Sequence, residues 1–297
     1  MIKTASCIKA IFASAVGVAL LASSSEAQNA TTNYSPGQLL LGFRQTAGSN
    51  SGNDLLTNLG NVSVFDSLAA THAGAVIDVT TGNYISGGSG ASGINGIGNL
   101  GADLVSLWGA SWATVLDAGS SSWNNGHPSV LWGAIGTNGT TVYVTNSSTT
   151  PFTPSSAGSQ NGVKSAVDTL GSNSYDFNQS TANSNFNIIE SGTSGTWQGN
   201  MFRVGNNNAD FTIYPSSTSP ATNQSMEAPQ GITMYLDKEV AGAANGTPVG
   251  FFTLTNSGGL TYTVVAAVPE PGTWALLAAG GMFLIALAAK KRRFRSV

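Results

Sequence analysis

The stretch VLWGAIGTNGTTVYVT, residues 130–145, sets two apolar runs, 130–135 and 141–145, around Asn138-Gly139. Gly and Asn accept the positive φ of a tight turn, and Val, Ile, Tyr and Thr suit a pleated surface, so the segment reads as a β-hairpin. Residues 251–265, FFTLTNSGGLTYTVV, repeat the logic, with 251–255 and 260–265 flanking Asn256-Ser257-Gly258-Gly259. Further strand candidates are 38–43, 75–80, 186–190, 211–214 and 232–236. Their separation by Gly/Ser/Asn clusters predicts a mainly β, β-sandwich-like extracellular body with one or two short helices.

The first helix is expected in NLGADLVSLWGASW, residues 99–112. Leu100, Leu104, Leu107 and Trp108 fall at helical spacing, and Asn99 stands where an N-cap would. Residues 163–170 carry a weaker helical pattern. Between them and the hairpin, residues 146–162, NSSTTPFTPSSAGSQNG, read as a long loop or interdomain linker. No internal repeat is visible.

Composition suits an exported β-protein. Gly, Ser, Thr and Asn supply 130 of the 297 residues, and charged residues make up 8%, against roughly 25% in an ordinary globular protein. Water-facing positions must then be filled by hydroxyls and amides. A hydrophobic content of 41% still provides material for a core. The charge is unevenly placed: residues 28–268 hold four basic side chains against twelve acidic ones, while the last eight residues carry five basic ones. An acidic body argues against nucleic acid as a partner, because phosphate binding needs clustered Lys and Arg.

Both ends explain themselves. Residues 1–28, MIKTASCIKAIFASAVGVALLASSSEAQ, place Lys3 and Lys9 before an apolar stretch, 10–22, and a polar exit ending Ser25-Glu26-Ala27. This is the order of a secretory signal peptide, 1–27, with signal peptidase cutting after Ala27 to leave Gln28 first. The only cysteine, Cys7, lies in the removed segment, so the mature body, 28–267, has no disulfide and no thiolate ligand or nucleophile.

At the other end, residues 268–297 read VPEPGTWALLAAGGMFLIALAAKKRRFRSV. Residues 272–289 carry no charge, and eighteen residues of helix rise about 27 Å, near the hydrocarbon thickness. Pro269 and Pro271 mark the entry of this expected transmembrane helix, and Trp274 falls where an aromatic ring rests at the interface. Lys290, Lys291, Arg292, Arg293 and Arg295 then mark the cytoplasmic side, which holds the body on the far side of the membrane. The two segments agree on topology.

The tail resembles the PEP-CTERM sorting signal: Pro269-Glu270-Pro271, a short spacer with Trp274, an apolar helix, then Lys290, Lys291, Arg292 and Arg293. The resemblance covers only the tail, 268–297. It implies recognition of the tripeptide by an exosortase in a Gram-negative bacterium that makes exopolysaccharide. It implies too that the body passes from the inner membrane to the cell surface or extracellular matrix. Tethering near the membrane raises the effective concentration of the tripeptide for a membrane-embedded enzyme, and the prolines keep it extended. The Leu-Pro-x-Thr-Gly of a Gram-positive sortase signal is absent from 269–273.

Catalytic patterns are scarce. His72 and His127 are the only histidines, and there is no His-Glu-x-x-His pair and no Gly-x-Ser-x-Gly elbow. Carboxylate pairs for glycoside hydrolysis meet in space and leave no spacing signature. Asp237 and Glu239 read as a solvated turn after a strand. Residues 88–93 and 96–101 both spell Gly-x-Gly-x-x-Gly. They lack the buried strand and the β-α-β surround of a dinucleotide site. Residues 205–210, GNNNAD, offer one carboxylate among amides and read as a turn ahead of a calcium loop. The expectation is no catalytic residue, no metal and no cofactor.

Three function classes follow. The first is a non-catalytic component of the cell envelope or exopolysaccharide matrix, touching polysaccharide through Trp108, Trp112, Trp123, Trp132 or Trp197. Trp123 is the best placed of these, in the polar stretch SSSWNNGHPS, residues 120–129. The second is an exported hydrolase acting on extracellular polysaccharide. The third is an ice- or surface-binding protein, motivated by Thr261-Tyr262-Thr263.

Overall fold

The structure is a computed structural model and describes residues 34–45, 53–114, 130–173, 186–190, 196–202, 211, 214 and 224–265. Eleven strands and four helices occur among them: β1 (Gln38–Gln45), β2 (Asn53–Asn61), α1 (Val62–Thr71), β3 (Val76–Asp78), β4 (Asn83–Ser86), α2 (Leu100–Trp108), β5 (Val130–Asn138), β6 (Thr141–Asn146), α3 (Ala157–Asn173), β7 (Phe186–Glu190), α4 (Trp197–Phe202), β8 (Ala228–Pro229), β9 (Met234–Val240), β10 (Thr247–Leu254) and β11 (Leu260–Val264). All strands join one curled antiparallel sheet in the order β4-β3-β11-β10-β9-β6-β5-β1-β2-β7, with β8 beside β5. The mainly β expectation holds. The sandwich is replaced by a single sheet whose two faces each carry a core.

Residues 130–145 form the expected hairpin, β5 and β6, closed where Asn138 faces Thr141 across Gly139, whose φ is +60°. Pairing puts alternate side chains on opposite faces. Leu39, Leu41 and Phe43 of β1 enter one core with Trp132, Tyr143, Leu236, Phe252 and Tyr262, beneath α1 and α2. Leu40 enters the other, with Ile135, Val142, Val144 and Trp197, beneath α3 and α4. This explains why β1 reads as a near-continuous apolar run: it is buried on both faces.

The second expected hairpin pairs β10 with β11 from Leu254 facing Leu260, and 186–190 is β7 as expected. Three expectations need correction. Phe211 and Tyr214 belong to a turn, with Tyr214 N donating to Phe211 O at 2.9 Å, where a strand was expected. The long loop of 146–162 is shortened at both ends, because Asn146 closes β6 and α3 begins at Ala157. The helix count exceeds one or two short ones, since α1 and α4 escaped the pattern. Asn61 caps α1, its side chain accepting from Ser63 N at 2.8 Å, whereas Asn99 starts α2 without a side-chain cap bond.

The signal peptide with its Ala27/Gln28 junction and the apolar tail segment 272–289 lie outside the described residues. Among the described residues no helix is long and apolar enough to cross a membrane.

Candidate functional site

Period-two alternation shapes the half of the sheet made by β9, β10, β11 and β3. Met234, Leu236, Phe252, Leu254, Leu260, Tyr262 and Ile77 point into the core, so Tyr235, Phe251, Thr253, Thr261 and Thr263 fall on the opposite face, half-buried. On that same face α3 packs on β5 and β6, and α4 on β1 and β2. Register lines up two rows across the strands: Tyr235, Phe251, Thr263 and Val76 in one, Thr253, Thr261 and Asp78 in the next. Strands stand about 4.8 Å apart, so the first row spans roughly 14 Å. Tyr235 and Phe251 touch, ring centroids 5.7 Å apart and planes at 53°. The result is a surface of aromatic rings and hydroxyls.

Along β9 the same alternation carries Asp237 and Glu239 onto the face that Tyr235 occupies, but here it is covered. Both acids are buried, at 1% and 0% exposure. Asn146 Nδ2 donates to Asp237 Oδ2 at 2.9 Å and Phe152 N donates to the same oxygen at 3.3 Å. Tyr214 Oη donates to Glu239 Oε2 at 3.0 Å, and Gln160 Nε2 donates to the Glu239 carbonyl at 3.4 Å. Burial pushes the Asp237 carboxyl up to about 6 against the pull of these donors. Burial also pushes Glu239 up to about 7; Tyr214 opposes the shift and the nearby Asp237 charge adds to it. The solvated turn expected here is therefore a buried acidic pair. Sequence missed it because the apolar pattern stops at Leu236 while the strand continues to Val240.

Two further polar groups tie layers together. Arg44 of β1 pairs with Glu227, Nε at 2.9 Å and 3.1 Å from the two carboxylate oxygens, and Trp197 Nε1 donates to Glu227 Oε1 at 2.6 Å. Trp197 lies flat on Gly42, where an added Cβ would stand 2.1 Å from the ring. On the other face Asp66 of α1 accepts from Tyr143 Oη at 2.5 Å and from Lys238 Nζ at 2.7 Å, which docks α1 on β6 and β9.

Of the five tryptophans expected as sugar contacts, Trp108, Trp112, Trp132 and Trp197 are core residues. Trp123 lies outside the described residues, as do His127 and residues 205–210. His72 ends α1, its Nδ1 at 2.7 Å from Thr71 Oγ1 and its ring 5.2 Å from that of Tyr84. Residues 88–93 follow the short strand β4, and 96–101 run into α2, in a sheet whose pairings are all antiparallel, so neither has a β-α-β surround. Among the described residues no three His, Cys, Asp or Glu side chains gather as a metal cluster.

Beyond β11 the chain enters its tail, and residues 267–293 match the family of the PEP-CTERM protein-sorting motif. The tail is a PEP-CTERM sorting motif. Pro269, Glu270, Pro271, Trp274, Lys290, Lys291, Arg292 and Arg293 all fall in the matched span and lie outside the described residues. The PEP-CTERM motif implies export, membrane-anchored transit through the tail and processing by an exosortase. No curated protein and no solved structure matches the chain.

Proposed function

We propose that the exported body is a non-catalytic component of the cell envelope or exopolysaccharide matrix that contacts extracellular polysaccharide. Signal peptidase releases Gln28, the apolar tail segment 272–289 holds the chain in the inner membrane, and an exosortase passes the body to the surface of a Gram-negative cell. The PEP-CTERM match supports the route. The observation that carries the contact is the Tyr235–Phe251 pair beside Thr253, Thr261 and Thr263. Sugar rings present C–H faces that lie on aromatic rings, with hydroxyls that pair with neighbouring hydroxyls, and this face offers both. A neutral or weakly charged glycan suits it, because the described acid of that surface is Asp78 and no Lys or Arg stands in either row. Trp123 is a second proposed contact, in the polar sequence stretch 120–129.

Glycan-array binding and retention by host polysaccharide test this, using the full chain against Tyr235→Ala, Phe251→Ala and Trp123→Ala. Loss of one aromatic contact should weaken binding at least about tenfold, equivalent to about 1.4 kcal/mol. Retention that ignores all three substitutions overturns the proposed surface, and cleavage of the glycan establishes the exported hydrolase in its place. The three threonines of the same face also favour an ice- or crystal-surface reading. Ice-growth inhibition that Thr261→Val and Thr263→Val change, without any glycan retention, selects that reading.

A further inference from the structure

We propose that Asp237, Glu239 and Gln160 hold one calcium ion inside the body, at the covered end of β9. Each carboxylate uses one oxygen for its protein donors: Asp237 Oδ2 takes Asn146 and Phe152, and Glu239 Oε2 takes Tyr214. The other oxygens, Asp237 Oδ1 and Glu239 Oε1, are buried and have no donor among the described residues. Gln160 reaches the same strand independently. It is fully buried in the first turns of α3, and its Nε2 is fixed on the Glu239 carbonyl at 3.4 Å. Its Oε1, on the same amide carbon, therefore lies beside β9 and also lacks a donor. Three buried acceptor oxygens without donors are costly, and native structures commonly resolve such a group with a bound ion or water.

Charge decides between these. Where both are ionised, as at pH 8, two buried carboxylates two residues apart on one strand face need compensation. The described basic side chains are engaged elsewhere: Arg44 with Glu227, Lys164 with Asp168, and Lys238 with Asp66 across the sheet. A divalent cation neutralises the pair with nothing left over, where a monovalent one leaves a buried negative charge. The donor set is all oxygen, which selects a hard cation. Burial then favours calcium over magnesium, because magnesium usually keeps several waters while calcium accepts carboxylate, amide and carbonyl oxygens in flexible geometry. Such an ion would fasten β9, α3, Phe152 and Tyr214 together. It stands independently of the polysaccharide reading.

The test is calcium binding to the purified full chain after EDTA treatment, at pH 8. Equilibrium dialysis should find a calcium ion that Asp237→Asn/Glu239→Gln abolishes, and Gln160→Met should weaken its binding at least about tenfold. Calcium at a hundredfold above Kd should raise Tm by about 5–10 °C in the unsubstituted chain, and magnesium at the same concentration should not. Asp210→Asn, in the Asn-rich stretch 205–210, is the control and should leave both readouts unchanged. Should the double variant fail to fold, Gln160→Met and the control decide between them. The proposal is overturned if the unsubstituted chain binds no calcium, if Asp210→Asn abolishes the binding, or if Gln160→Met leaves the affinity unchanged.

Discussion

Arg44 and Glu227, 183 residues apart in sequence, meet with Nη2 2.8 Å from Oε2 where neither side chain reaches solvent. The bond joins the second strand-facing layer of β1 to the chain just before β8, with Trp197 sharing the carboxylate. Glu227→Ala removes the carboxylate that pairs with the buried Arg44 guanidinium and that accepts the indole N–H. Breaking such a pair costs about 3–5 kcal/mol, and a urea midpoint lowered by that amount at unchanged slope is the expected result. A loss under about 1 kcal/mol would mean the pair is not buried as described.

Gly42→Ala tests the seat of Trp197. The missing Cβ allows the indole to lie on β1, and a methyl at 2.1 Å from the ring forces either the strand or α4 to move. Overpacking of this kind costs about 1–3 kcal/mol, read as a lowered midpoint. Trp197 fluorescence in a background lacking the other tryptophans should shift to the red as the ring loosens.

The buried acids predict the direction of the pH response. Asp237 and Glu239 are held at about 6 and about 7, above their ordinary values of 3.8 and 4.5. Between those limits the folded state binds more protons than the unfolded chain, so their contribution to stability falls as pH rises from about 4 to about 7 and is level above that. In EDTA, Tm should therefore be higher at pH 5 than at pH 8, and Asp237→Asn/Glu239→Gln should remove that part of the slope. A Tm that climbs over this range because of the pair contradicts the burial.

How much of this was legible in the sequence varies by element. The hairpin at 130–145 carried turn chemistry and β-branched residues together, and both survive in β5 and β6. Strand β2, NDLLTNLGN, escaped because Asp54, Thr57 and Asn58 are buried in it and break the apolar period that a strand should show. Helix α1 follows it without a gap, and its Val- and Thr-containing sequence has weak intrinsic preference, so packing of Phe65 and Leu68 decides its form. The acidic pair was misread for a related reason: local polarity suggested water, and only the cover supplied from residues 152, 160 and 214 makes the site dry. The tail needed no fold to be recognised, because its order of prolines, apolar run and basic cluster is local. Trp108, Trp112, Trp132 and Trp197 misled, since a large ring fills a core as readily as it meets a sugar.

The sheet order also sets a timetable. β3, at 76–78, finds its partner β11 only at 260–264, and the sorting motif begins at 267. β3 pairs early with its neighbour β4, but its other edge stays open until β11, nearly two hundred residues later, has been made. When β11 docks, the last strand closes two residues short of the tail that the processing enzyme reads. Completion of the fold and the start of the motif thus fall within one short length of chain.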